Sequence, residues 1–263
     1  MNRPADIPPV PLILCASDFH FGCNVWSPLR LFGKRLIGQA NYHLRRKRKL
    51  NYTAASAFRM LLEDQRPEAL LALGDFTNIA MPEEFRTARA FLDSLAETGT
   101  KIYALPGNHD VYTASVLRQR ETDRWLGPYL PPDGVPSRAR IPGVASVQFF
   151  PTVSPNLLSS RGAVPPEGWQ ALESLTAQTG GDSILIASHY PLLDRTAAYR
   201  QKWSHTLRQS EKVLDILRRC PHPLTFIAGH VHRFSLTRDP VKPDLIHITV
   251  PAAFYSDPET QGA

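Results

Sequence analysis

The stretch ALLALGDF, residues 69–76, is the place to begin reading this chain. Five apolar residues run from Ala69 to Leu73 and end on Gly74-Asp75. A run this short, stopped by a turn residue, suits a strand buried on both faces. A carboxylate just past its end lies where α/β folds place their chemistry. Four other apolar runs end in the same way. Residues 12–16 precede Asp18-Phe19-His20, 102–105 precede Gly107-Asn108-His109-Asp110, 184–187 precede Ser188-His189-Tyr190-Pro191, and 224–228 precede Gly229-His230-Val231-His232. Residues 245–250 form a sixth run.

Helix-period stretches at 53–65, 83–97, 168–177 and 210–219 separate several of these strands. Pro82 ahead of Glu83-Glu84 marks a helix start, and Gly99 marks its stop. The alternation predicts an α/β layered fold. Residues 127–140, rich in proline, read as a surface loop.

Together the five strings supply carboxylates, imidazoles and one amide oxygen, a donor set suited to two divalent ions side by side. Each string alone has an ordinary explanation. Gly-Asp is a turn, Gly-Asn-His is a loop, and a lone His189 is a satisfied core or surface residue. All five in order point to a two-metal hydrolase. In Asp18-x-His20 and His230-x-His232, extended backbone would turn both side chains to one side.

That order (D-x-H, GD, GNH[DE], a lone His, GHxH) resembles the calcineurin-like metallophosphoesterases from Asp18 to His232, with no position missing. The resemblance implies a four-layer αββα sandwich of two mixed sheets. It also implies that Asp18, His20 and His232 hold one ion, Asn108, His189 and His230 the other, and Asp75 bridges them. His109 would meet the substrate phosphate and protonate the leaving oxygen, with Asp110 orienting that imidazole. The implied cofactors are two divalent ions, with manganese preferred and iron or zinc the alternatives. In one respect the chain departs. It stops soon after Pro251-Ala252-Ala253, where relatives add a strand or two, which leaves closure of the second sheet open.

No linker divides the 263 residues, so they read as one domain, and a hydrophobic share of 43% suffices for a core. Cys15, Cys23 and Cys220 show no C-x-x-C spacing and fit a reducing cytoplasm. An early first strand leaves no room for a signal peptide, and no apolar run reaches the ~20 residues of a membrane span. These features suggest a cytoplasmic protein, peripheral at most on the inner face of the membrane.

The net charge of +6 comes from one segment. Between Trp26 and Lys49 stand eight basic residues and no acid; setting these eight aside leaves 22 basic residues against 24 acidic ones. Leu29, Leu31, Leu36, Ile37, Tyr42 and Leu44 are interleaved with the charges, giving residues 26–50 the composition of an interfacial amphipathic segment. Trp26, Phe32, Arg45, Arg46, Lys47, Arg48 and Lys49 are its candidate membrane or substrate contacts. A solvated surface loop is the plainer reading, and a nucleic-acid contact a weaker one. The insertion, followed by LGDFTNIAMPEEF, looks like the lipid A branch that cleaves UDP-2,3-diacylglucosamine to UMP and 2,3-diacylglucosamine 1-phosphate. Its rivals are a soluble phosphodiesterase for cyclic nucleotides or other small esters, a nuclease, and a scaffold without chemistry. Arg118, Arg120 and Arg208 are candidates to grip a diphosphate. Oligomeric state leaves no trace in the sequence.

Overall fold

Alternate residues of a strand point to opposite sides, and that alternation builds the layers of this protein. Its computed structural model describes residues 11–25, 27–31, 33–155, 159–177 and 182–256. Strands β1 (Ile13–Ala16), β2 (Ala69–Ala72) and β3 (Lys101–Ala104) form a parallel sheet in that order, with Leu70 opposite both Leu14 and Ile102. A second sheet is built from β4 (Ser137–Ile141), β5 (Ala145–Phe149), β6 (Ile184–Ala187), β7 (Leu224–Ala228), β8 (Ser235–Arg238) and β9 (Leu245–Thr249). Its order is β4-β5-β6-β7-β9-β8, parallel within and antiparallel at the two edges. Only this sheet is mixed among the described residues, which corrects the expected pair of mixed sheets.

The helices are α1 (Lys34–Asn41), α2 (Ala54–Gln65), α3 (Pro82–Ala96), α4 (Ala114–Arg118), α5 (Glu121–Leu126), α6 (Pro166–Thr176) and α7 (Ser210–Arg218). Leu70, Ala72, Ile102 and Ala104 share a core with Leu62 of α2 and Phe85, Leu92 and Leu95 of α3. Their neighbours Leu71, Leu73, Tyr103 and Leu105 instead join Val147, Phe149, Ala187 and Ile227 of the other sheet. On that sheet's far side, Ile184, Ile186, Leu224 and Phe226 meet Leu172 and Leu175 of α6 and Val213, Leu214 and Leu217 of α7. The layers are therefore helix, sheet, sheet, helix. Each fully buried Leu or Phe adds roughly 1.5–3 kcal/mol before entropy is charged against it.

All six apolar runs form strands. The strands not foreseen are β4, β5 and β8, whose sequences SRARI, ASVQF and SLTR lack a continuous apolar run. Two of them are edges, where charged side chains guard open hydrogen-bonding groups. Residues 137–140, expected in a loop, lie in β4. Beyond β9 the chain returns to the first sheet: Ala252 bridges Ser17, and the Ala253 N–H donates to the Ser17 carbonyl at 2.9 Å.

Close approach of the strand ends explains two glycines. A Cβ on Gly229 would lie 1.8 Å from Ser17 Oγ and 2.7 Å from Asp18 Oδ2, in the opposite sheet. Gly74 sits at φ 96°, and a Cβ there would come 2.5 Å from the Gly107 nitrogen. Gly229→Ala should therefore push the sheets apart at Asp18, lowering stability by about 1–3 kcal/mol and reducing metal content. Denaturant midpoints and elemental analysis measure both; wild-type values for each would show that the contact does not lock the sheets.

Candidate metal centre

Five strands aim their C-terminal ends at one place, β1, β2 and β3 from one sheet and β6 and β7 from the other. The seven residues of the five strings converge there. Three groups bring ligand atoms within 4.8 Å of one another: Asp18, His20 and His232; Asp75, His189 and His230; and His20, Asp75 and His109. The Asn108 amide oxygen lies 3.1 Å from His189 Nε2, which is itself 3.4 Å from Asp75 Oδ1. On the other side, His232 Nε2 lies 3.1 Å from both His20 Nε2 and Asp18 Oδ1.

The turns that present these groups are not extended. Asp18, His20, Asp75, His230 and His232 all have positive φ, between 50° and 70°. This corrects the expectation for the two x-spaced pairs: left-handed turns, not strand alternation, bring their side chains together. Such residues cost about 1–3 kcal/mol each and persist where the surroundings hold them. Here those surroundings include hydrogen bonds between strings. Asp18 N–H donates to the Gly74 carbonyl, and His230 N–H donates to Asp18 Oδ2 across the sheets at 2.8 Å.

The donor set fits two divalent ions. Asp18 Oδ1 is buried and accepts no hydrogen bond, although His232 Nε2 is 3.1 Å away. A close approach of two acceptors without a shared hydrogen suits two ligands of one ion. His189 donates Nδ1–H to the Leu73 carbonyl at 2.7 Å, which leaves Nε2 facing Asp75 and Asn108, the outer-shell arrangement common for ligating histidines. His230 Nε2 is engaged by the His205 carbonyl at 2.8 Å, leaving Nδ1 as its candidate ligand atom.

Burial sets the charge states. It drives His20 well below the ordinary imidazole value, with Arg46 next in effect, and takes His230 down to about 3, with His189 next. These neutral rings have lone pairs to offer. For Asp18 and Asp75 burial works the other way, but neighbouring histidines overcome it and hold both carboxyls low. His189 goes up to about 9 despite burial, because Asp75 and Asp18 draw a proton to it. Two buried anions demand compensation, and without ions a proton on His189 supplies part of it.

His109 stands beside this cluster, its ring 4.9 Å from that of His20 and stacked on Tyr112 at 5.4 Å. Its Nδ1 donates to the Asn78 carbonyl, which leaves Nε2 as the ring nitrogen open to a further partner. Asp110 was expected to orient this ring, but its carboxylate is occupied elsewhere. It accepts from the N–H groups of Phe76, Thr77 and Gly107, tying the β2 turn to the β3 turn. Asn78 is the residue that sequence reasoning missed. It lies four residues past Gly74, and only the folded loop shows its carbonyl meeting His109.

Residues 11–234 match the family model of the calcineurin-like phosphoesterases. The chain belongs to that family. A glycerophosphodiester phosphodiesterase, GpdQ, of Enterobacter lignolyticus is 26% identical over 180 residues, which span 66% of this chain and 59% of that protein. A dimetal phosphatase from Danio rerio has a TM-score of 0.51 at 15% identity, covering 95% of this chain and 90% of that one. A phosphopantetheinyl hydrolase from Mycobacterium tuberculosis gives 0.51 at 14%, covering 92% and 90%. At 15% and 14% identity these two solved structures speak for the fold alone.

Two features flank the centre of this calcineurin-like phosphoesterase. A cleft of about 790 Å³ opens at His230 and is lined by Arg200, Lys202, Arg233, His205, Tyr199 and Gln201, among others. Arg118, Arg120 and Arg208 are not part of its wall. On the other flank lies the basic insertion, where α1 runs into a π-helical turn, Tyr42–Arg46. Leu29, Leu36, Ile37 and Leu44 are exposed, as are Arg45, Lys47, Arg48 and Lys49. Arg46 alone of the five basic residues turns inward. Trp26 and Phe32 lie outside the described residues. No helix among those residues is long and apolar enough to cross a membrane.

Asp75 stands between the two ligand groups, so Asp75→Ala should take the metal content of the purified protein from two ions per chain to none. Elemental analysis and calorimetric titration with Mn²⁺ read this directly. One tightly bound ion in the fully active wild type would remove the shared role.

Proposed function

We propose that this protein is a dinuclear metal-dependent hydrolase of phosphodiester or diphosphate bonds. The observation that carries the reading is the convergence of seven ligand residues from five strand ends, with an eighth group, His109, beside them. Two ions there, of which this mixed oxygen and nitrogen set suits Mn, Fe or Zn, would acidify a water and neutralise charge on the phosphoryl oxygens. The protein's own part is geometric. Asn78 fixes the His109 ring so that Nε2 faces the site, and Asp110 braces the loops carrying Asp75 and Asn108. Burial, with Arg46 next, pushes His109 down to about 3 in the free protein. An arriving phosphate dianion or diester brings negative charge that favours a proton on Nε2, ready for the leaving oxygen. The partial likeness to a glycerophosphodiester phosphodiesterase supports a diester over a monoester.

A narrower reading is favoured by the insertion. Exposed leucines and an isoleucine beside four exposed cations form the kind of surface that docks on anionic lipid. The cationic cleft at His230 suits the nucleotide portion of a diphosphate. Together they support a nucleotide-linked lipid such as UDP-2,3-diacylglucosamine, handled by a cytoplasmic protein peripheral on the membrane. A panel with added Mn²⁺ separates the readings: UDP-2,3-diacylglucosamine, cyclic AMP and bis-p-nitrophenyl phosphate. Preference for the lipid supports the narrower one, whereas preference for the soluble esters leaves only the broader. Hydrolysis of none of the three sinks both.

His109→Ala should keep both ions and lower the catalytic rate by roughly 10²–10⁴. The loss should shrink for phenolic leaving groups, which need little protonation. Equal losses for phenolic and alkyl esters would rule out proton donation.

Neutralising Arg45, Lys47, Arg48 and Lys49 together should weaken co-sedimentation with vesicles rich in acidic lipid, and so should added salt, since exposed charges are screened beyond ~8–10 Å. Arg46 is excluded from this set because it faces the site. A wild-type protein that ignores such vesicles would argue against docking.

A further inference from the structure

We infer that Arg46 is a catalytic residue that grips an oxygen of the reacting phosphoryl group, so that the basic insertion forms one wall of the active site. This rests on the phosphodiester-hydrolase reading and assigns that site a contact outside the five strings.

Position is the first argument. Arg46 closes the π-helical turn Tyr42–Arg46, and such wide turns recur at functional sites because the extra residue redirects the side chains that follow. Its backbone is held. The carbonyl accepts from the N–H groups of Lys49 and Leu50 at 2.8 and 3.2 Å, and the Lys49 carbonyl accepts from Ser256 N–H at 2.7 Å. At the start of the turn, Tyr42 is buried against Gly22. The guanidinium is thus presented from a fixed base.

Its contacts are the second. Nη2 lies 3.0 Å from His109 Nε2, the nitrogen not held by the Asn78 carbonyl, and Nη1 donates to Asn78 Oδ1 at 3.0 Å. No carboxylate among the described residues lies within ion-pair distance of it. A half-buried guanidinium whose partners are an imidazole nitrogen and an amide oxygen is poorly compensated. A planar fork of donors matches a phosphate oxygen better than either partner.

The surroundings are the third. The His109 ring that Arg46 contacts packs 4.9 Å from the ring of His20, and His20 in turn lies 6.1 Å from the Tyr255 ring and 3.1 Å from His232 Nε2. These residues come from different elements around the centre, which sets the guanidinium beside the place where a phosphoryl group would be held. The side chain has only to leave the His109 nitrogen for the anion.

The test uses the full chain loaded with Mn²⁺ and inorganic phosphate as the probe, read by calorimetry. Arg46→Gln should keep both ions and the thermal midpoint while weakening phosphate binding about tenfold or more, the scale of one charge-assisted contact. Its kcat/KM on bis-p-nitrophenyl phosphate should fall about 10²-fold, and Arg46→Lys should recover part of the binding. Added guanidinium should restore activity to Arg46→Ala. Phosphate affinity within twofold of wild type in Arg46→Gln would overturn the proposal, as would metal loss in step with phosphate loss, which a mere prop of the metal site would cause. If the wild type hydrolyses no diester, the function fails separately, since phosphate binding reports on Arg46 without turnover.

Discussion

Two buried carboxylates, Asp18 and Asp75, set the terms for this structure. Both are held ionised with essentially no access to water, and the neighbours that stabilise their charge are imidazoles from both sheets. Isolated buried charge is among the most costly features a protein can carry. Here it is spread through a lattice of contacts spanning the sheet-to-sheet gap. His189 of the six-stranded sheet donates to the Leu73 carbonyl of the other, and Asp18 accepts from the backbone of His230 in return. The left-handed turns and the glycine at 229 are consequences: the strand ends carrying these side chains must approach more closely than side-chained, relaxed backbone allows.

Around that centre, the loop after β2 acts as a distributor. Glu84, near the start of α3, accepts from the N–H groups of Asn78, Ile79 and Met81 through one carboxylate oxygen. Burial raises its carboxyl to about 7, against the pull of those same N–H groups. The loop so held presents Asn78 with its carbonyl to His109 and its side-chain oxygen to Arg46. One residue thereby sets the orientation of two groups of opposite character, an imidazole and a guanidinium. Asp110 serves as a strut beneath both. Its burial and the nearby Asp75 charge raise it to about 7, a cost offset by three backbone N–H donors.

The insertion divides its residues by direction. Leu29, Leu36, Ile37 and Leu44 and four cations point to solvent, Leu31 and Tyr42 are buried, and Arg46 points to the centre. The same stretch thus forms exposed surface at some residues and contacts Asn78 and His109 at another.

The sequence by itself determined the buried strands and most of the residues that converge at their ends. An uninterrupted apolar run has few alternatives to a strand covered on both faces, and carboxylate and imidazole side chains have few uses when clustered at strand ends. Helices 53–65, 83–97, 168–177 and 210–219 were legible for the same reason, since their apolar period matches one buried face. What it left open was decided in three dimensions. Edge strands such as SRARI look polar because solvent covers one side of them. Left-handed turns at Asp18 and His230 follow from crowding between sheets that are distant in sequence. The orientation of Arg46, one of five consecutive basic residues, depends on where a π-helical turn places it relative to Asn78 and His109, 32 and 63 positions away. Composition gives five like charges; only packing tells them apart.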